Sequence, residues 1–268
     1  MACGCGRSPD GCRGWHSLSE EEFQIELKNY KKEREGDLKV IDVEHYTDSL
    51  FRFRLERPEG HNMKPGQFTM INVEGAPKRA YSFTNGPKDD FIEFYSIKVE
   101  GGELTSVLKN IEIGDPVKVS DKSTGSLLIE NLSDGDNLFL LATGTGIAPF
   151  ISILRDEETY KRFKSITVAW SVRKIEELNA FDSMLREAKI NYIPIVTRDD
   201  RWKGERRRIT TLIDEEVIMA NATPDIDKLM LCGNMDFNIQ VKYKFDKSWI
   251  EASNRMKGSM AIEKAFVG

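Results

Sequence analysis

The chain has 268 residues, 40% of them apolar and 31% charged, which is enough to bury a core and too mixed for a disordered or fibrous protein. A net charge of −5 argues against nucleic acid as a bulk partner, and three histidines (His16, His45 and His61) are too few for a His-rich catalytic metal centre. At roughly 100–200 residues per domain, the length suits one large or two ordinary domains.

In chain order, residues 1–20 are rich in glycine and cysteine, and the charged stretch Glu20–Glu35 carries a loose helical pattern. No charged region followed by an apolar one comes after Met1. The longest apolar runs, such as Leu138–Ala142, fall far short of the ~18 residues that span a bilayer, so neither export nor a membrane span is expected. Of four cysteines, Cys3, Cys5 and Cys12 crowd the N-terminus and Cys232 stands alone. That is not the spacing of a disulfide framework, and a reducing cytoplasm is expected.

From about Leu38 to Glu130 the chain reads as strands. Phe51–Leu55 alternates apolar and polar residues, and Gln67–Val73, Phe91–Val99 and Pro116–Val119 are further candidates. Turn signals separate them at Lys64-Pro65-Gly66, Asn85-Gly86-Pro87, Gly101-Gly102 and Ile113-Gly114-Asp115, which predicts an antiparallel barrel. After about Asn131, short apolar runs at Leu138–Ala142, Ile166–Trp170, Tyr192–Val196 and Lys228–Leu231 alternate with helix-length segments at Ala148–Thr159, Ile175–Ala188 and Ile209–Ala220. That rhythm predicts parallel βαβ units in a doubly wound sheet. The expected division is a Cys-rich segment and charged linker over 1–36, a barrel over 37–133 and an α/β domain over 134–268.

Three motifs carry chemistry. Thr143-Gly144-Thr145-Gly146-Ile147-Ala148-Pro149 runs from a buried strand through a glycine-rich turn into a helix, where backbone can approach an anion; alone it is as readily an ordinary tight turn. Arg79-Ala80-Tyr81-Ser82 sets a cation beside an aromatic ring and a hydroxyl, suited to a phosphate and a flat ring, or else is a strand with a surface arginine. Cys232-Gly233-Asn234 ends a strand, where doubly wound sheets bind ligands, although a lone cysteine there also serves as a small buried hydrophobe.

In this order the three motifs resemble the ferredoxin–NADP⁺ reductase family from about residue 38 onward. The ending Ile262-Glu263-Lys264-Ala265-Phe266-Val267-Gly268 is similar to the bacterial type, with Ala265 in the slot where plant-type members place a tyrosine over the flavin. The resemblance implies an FAD-binding barrel and an NADP-binding α/β domain. It implies that Arg79 pairs with the FAD pyrophosphate, that Ala80, Tyr81 and Ser82 lie at the isoalloxazine, and that Tyr95, Ser96 and Ile97 line the ring. Leu104 and Thr105 would hold the pyrophosphate, and Phe266 would cover the adenosine. Gly144, Thr145 and Gly146 would meet the nicotinamide coenzyme, Thr145 meeting FAD as well, with Cys232, Gly233, Glu263 and Ala265 around the nicotinamide. Ser82, Cys232, Glu263 and Ala265 are thus the expected catalytic set. Hydride transfer between such cofactors needs no protein nucleophile, which suits a site without a histidine triad.

Arg198–Arg208 holds six cations against three carboxylates, net +3 in an acidic protein. Charge runs are commonly solvated surface. This one follows a strand at the sheet's ligand edge, and arginine forks match phosphate geometry. By resemblance, Arg173, Arg198 and Arg208 grip the 2′-phosphate, so NADP(H) is expected over NAD(H). Ferredoxin or flavodoxin is the expected partner, and a monomer the expected form. An oxygenase-type reductase component and a redox or metal sensor remain alternatives.

Cys3, Cys5, Cys12 and His16 put three thiolates and an imidazole within fourteen residues, a donor set for Zn²⁺ or a [2Fe–2S] cluster. The pattern resembles the CDGSH iron–sulfur family. It departs from that family in a gap two residues short before Cys12, in Arg13 for aspartate and in Trp15 for a small residue. A flexible tail with uncommitted thiols is the alternative.

Overall fold

The structure, a computed structural model, describes residues 7, 14–33 and 35–265. Helix α1 (Glu20–Glu33) starts where Ser19 and Glu22 cap each other: the Glu22 amide donates to the Ser19 hydroxyl and the Ser19 amide to the Glu22 carboxylate. Before it, Trp15–Ser17 forms a short 3₁₀ turn in which Trp15 is buried, its ring set edge-on to Phe23. The Arg7 guanidinium covers the Phe23 ring and donates to the Trp15 and Leu18 carbonyls.

The first domain is a six-stranded antiparallel sheet in the order β4-β3-β6-β1-β2-β5. Its strands are β1 (Glu35–His45), β2 (Leu50–Glu56), β3 (Phe68–Asn72), β4 (Arg79–Ser82), β5 (Phe91–Ile97) and β6 (Pro116–Ser120). A bridge between Phe83 and Phe94 joins the two ends into a barrel, with those rings stacked 5.4 Å apart. Phe51, Phe53, Leu55, Ile71 and Leu104 fill its interior. The alternation of Phe51–Leu55 produces this core, because every second residue of a strand points inward.

The second domain is a parallel sheet in the order β11-β10-β7-β8-β9, formed by β7 (Asn137–Thr143), β8 (Ser165–Val172), β9 (Asn191–Val196), β10 (Asp227–Gly233) and β11 (Met260–Lys264). The apolar runs expected as strands are all strands; those in β7, β8 and β10 are almost wholly buried, while Tyr192–Pro194 of the edge strand β9 is half-buried. The expected helices are shorter than their sequence patterns. Ala148–Thr159 divides into α3 (Ala148–Leu154) and α4 (Glu157–Arg162), because the Asp156 carboxylate accepts from the Glu158 amide and starts a new helix. Ile175–Ala188 likewise divides into a 3₁₀ turn (Ile175–Leu178) and α5 (Asp182–Glu187), and only Ile209–Asp214 of the third segment is helical, as α6. Helices α2 (Glu103–Leu108) and α7 (Met235–Lys242), and strand β11, are additions to the expected set. Along the outer side of β11 the chain returns, with the Ala252 amide donating to Met260 and the Met260 amide to Ile250. At the opposite edge, β9 carries Pro194 in its middle. No described helix is long and apolar enough to cross a membrane.

Candidate active site

Two adjoining cavities lie where the domains meet. The smaller, about 220 Å³, is walled by β4 (Arg79–Ser82), the end of β5 (Tyr95–Ile97), Gly102–Thr105, Thr145, Ala148, Cys232 and Ala265. The larger, about 1300 Å³, runs between the β1–β2 turn and the ends of β7, β8, β9 and β10. Tyr95, Ile97, Val99, Thr145 and Ala265 line both, so a ligand in one abuts a ligand in the other.

Ten of the residues assigned by resemblance to FAD stand in the smaller cavity: Arg79, Ala80, Tyr81, Ser82, Tyr95, Ser96, Ile97, Leu104, Thr105 and Thr145. The eleventh, Phe266, lies outside the described residues. The cavity is amphipathic. The Tyr81 and Ser96 hydroxyls are 3.2 Å apart, and burial raises the Tyr81 phenol, which therefore stays neutral. At the other end Arg79 faces Glu103 at 3.7 Å. Leu104, which also lines the cavity, is buried in the barrel core. The Thr105 hydroxyl accepts from the Val99 amide and so closes the Gly101-Gly102 loop.

Of the residues assigned to the coenzyme, Gly144, Thr145, Arg173, Arg198 and Arg208 line the large cleft. Gly144 sits at φ +54°, a conformation that favours glycine, and its carbonyl accepts from the buried Trp170 indole at 2.9 Å. Gly146 and Gly233 line neither cavity, and their role is close packing. A Cβ on Gly146 would run into the Cys232 carbonyl, and one on Gly233 into the Thr143 hydroxyl. These contacts bring the end of β10 against the glycine turn and set Cys232 into the smaller cavity.

Electrostatics divide the arginines of the cleft. Arg201 pairs with Asp199 and Glu176, Arg206 with Asp200, and Arg207 with Glu205 and Glu215. Arg173, Arg198 and Arg208 make no ion pair among the described residues. The cleft also contains residues the motifs did not indicate: Tyr46, Lys98, Lys174, Thr197, Thr210 and Gln240. Thr197 and Lys98 directly follow strands, the one signal that could have found them.

Glu263 lines neither cavity. It pairs in register with Cys232 across β10 and β11, and burial raises its carboxyl to about 7. Burial and the neighbouring Glu263 push the Cys232 thiol well up, so it is not a thiolate nucleophile. Ala265 is held by its amide on the Gly233 carbonyl at 2.9 Å. Cys3, Cys5 and Cys12 lie outside the described residues, and His16 is exposed on the Trp15–Ser17 turn. Among the described residues no group of three or more His, Cys, Asp or Glu could hold a metal ion.

Residues 38–125 match the oxidoreductase FAD-binding domain family, and residues 135–248 the ferric reductase NAD-binding domain family. Ferredoxin–NADP reductase A of Sorangium cellulosum is 37% identical over 250 residues, covering 85% of this chain and 89% of that protein. The flavodoxin/ferredoxin–NADP reductase of Rhodobacter capsulatus is 35% identical over 249 residues, covering 85% and 92%. A crystal structure of a ferredoxin–NADP⁺ reductase from Neisseria gonorrhoeae with bound FAD and NADP superimposes with a TM-score of 0.80 at 29% identity, over 87% of this chain and 99% of that one.

Proposed function

The chain belongs to the ferredoxin–NADP reductase family, and from that premise we propose that it passes a hydride between NADPH and FAD and single electrons to or from ferredoxin or flavodoxin. The observation that carries this reading is the shared wall of the two cavities at Tyr95, Thr145 and Ala265, where two flat rings could touch. The smaller cavity suits FAD by its donor set, with a cation and loop amides at one end and neutral hydroxyls and aromatic rings at the other.

When bound, FAD supplies a hydride acceptor that can release the pair as single electrons. The protein holds and orients. Arg79 and the backbone at Leu104 and Thr105 bind the pyrophosphate. Tyr81, Ser82, Ser96 and Ile97 position the ring, and Phe266 covers the adenosine. Gly144 and Thr145 let the coenzyme backbone approach, with Gly146 packing the turn against β10, and Arg173, Arg198 and Arg208 take the 2′-phosphate, which selects NADP(H). Cys232 and Ala265 flank the nicotinamide and exclude water, with the Glu263 carboxyl, raised by burial to about 7, beside Cys232 on the neighbouring strand. Two rings held in contact need no protein nucleophile, and neutral Cys232 supplies none.

We place the protein in the cytoplasm as a monomer. We further assign Cys3, Cys5, Cys12 and His16 as a [2Fe–2S] or Zn²⁺ site on donor chemistry alone. Stoichiometric iron with sulfide, or stoichiometric zinc, in purified protein would support it, and neither would retire it. For the reductase, denaturation should release free FAD, and NADPH should bleach its absorbance anaerobically. FMN, or flavin retained on the denatured chain, would contradict the FAD assignment, and no bleaching would overturn the reading and favour a sensor.

A further inference from the structure

Helix α3 is a strut between the glycine turn and the barrel. It begins where the turn Gly144–Ile147 ends, and Thr145 and Ala148 line the smaller cavity. Its far end is pinned to the barrel by buried polar contacts. Arg155, which caps α3, donates from Nη1 to Oε1 of Glu93 at 2.7 Å and to the Thr84 carbonyl at 2.9 Å. One turn earlier, the fully buried Ser152 hydroxyl donates to the Asn85 carbonyl at 2.7 Å. The fit is tight: a Cβ on Gly86 would lie 2.9 Å from Cβ of Arg155.

The anchor points adjoin the ring-binding residues. Thr84 is two residues past Ser82, and Glu93 is two residues before Tyr95 on the same strand. Glu93 is fully buried and cannot shift freely. Arg52 and Arg54 hold its Oε2, the Thr84 hydroxyl donates to its Oε1, and its amide donates to the Asn85 side chain. A charge taken out of water is costly unless such partners compensate it, so the carboxylate has one arrangement.

We propose that Arg155, seated on Glu93, is a positioning residue that fixes the glycine turn at a set distance from the flavin-side strands and thereby the approach of the nicotinamide to the flavin. The proposal rests on the reductase reading. Arg155 touches neither cavity, so it adds nothing to the affinity of either cofactor. It acts on geometry, and a displacement of 1 Å can cost about 100-fold in rate.

The test compares Arg155→Met, Arg155→Lys and Ser152→Ala in the FAD-loaded protein by anaerobic stopped-flow reduction. Arg155→Met should slow reduction at saturating NADPH by about tenfold or more. It should weaken the long-wavelength charge-transfer band with NADP⁺, and leave FAD content and NADPH KM within about twofold of the parent. Arg155→Lys, which restores a cation, should recover most of the rate, and Ser152→Ala should show a smaller loss in the same direction. A folded, FAD-loaded Arg155→Met with unchanged rate and band overturns the proposal, as does a loss expressed in KM alone. If Arg155→Met does not fold, parental behaviour of both milder variants overturns it. Absence of FAD or of bleaching in the unmodified protein refutes the reductase reading instead, so the two failures are distinguishable.

Discussion

Cys232 and Glu263 face each other in register across the parallel strands β10 and β11, a thiol beside a carboxyl whose protonation midpoint burial raises from 4.5 to about 7. Between those values the folded chain holds a proton the unfolded chain releases. The stabilisation is therefore complete below about pH 4.5 and is lost as pH rises through about 7. Glu263→Gln, which cannot ionise, should lose that slope and be more stable than the parent above pH 7 by about 2–3 kcal/mol. Denaturant midpoints of both proteins from pH 4 to 8 check this, and parallel curves would show that Glu263 does not titrate there.

Coenzyme choice should follow the arginines without carboxylate partners. Each charge-assisted hydrogen bond to phosphate is worth about 1.5–3 kcal/mol, and about 1.4 kcal/mol is tenfold in affinity. Arg198→Ala with Arg208→Ala should weaken NADPH by roughly two to four orders of magnitude and barely touch NADH turnover. Arg206→Ala, whose cation is already paired with Asp200, should change neither appreciably. Equal losses for both coenzymes in the double variant would make the loop structural rather than selective.

Ala265 lines both cavities, and a larger side chain there competes for the space where two rings meet. Ala265→Tyr should slow reduction by NADPH and suppress the charge-transfer band, while deleting Phe266–Gly268 should loosen FAD and strengthen that band. Stopped-flow spectra are the measurement, and unchanged rates and absorbance in both variants would place the terminus away from the flavin.

Gly146→Ala should cost about 1–3 kcal/mol, the usual range for overpacking, because backbone rather than a mobile side chain blocks the added methyl. Gly60→Ala meets no such obstacle, although its φ of +77° adds strain of about 1–2 kcal/mol. Chemical denaturation compares the two, and only Gly146→Ala should also impair NADPH binding.

The barrel, the parallel sheet and the small cavity were legible because each rests on local pattern: alternation in Phe51–Leu55, apolar runs such as Leu138–Ala142, and Arg79–Ser82 beside a turn. Long-range pairing was not. Glu93 reads as an ordinary strand carboxylate, and nothing nearby announces that arginines from β2 and the end of α3 converge on it. Gly146 and Gly233 read as ligand contacts, yet their Cα atoms pack against neighbouring backbone and a hydroxyl. The loop Arg198–Arg208 reads as one charge run, and only the fold separates its paired arginines from its available ones. Helix ends were overextended because Asp156 caps a new helix inside a continuous amphipathic stretch.

Each sheet carries a feature that limits β-addition along its edges. The Phe83–Phe94 bridge closes the first on itself. In the second, residues 250–252 take the outer hydrogen bonds of Met260 at the start of β11, and Pro194 interrupts the edge strand β9, where it has no amide proton to offer. Unpaired edges are the usual template for intermolecular β-addition, and a protein this rich in apolar strands would otherwise be prone to it. The chain should therefore remain free of fibrillar aggregation when concentrated. Freeing either edge, by Pro194→Val or by proline at Ala252, should convert a well-behaved solution into one that accumulates thioflavin-positive material.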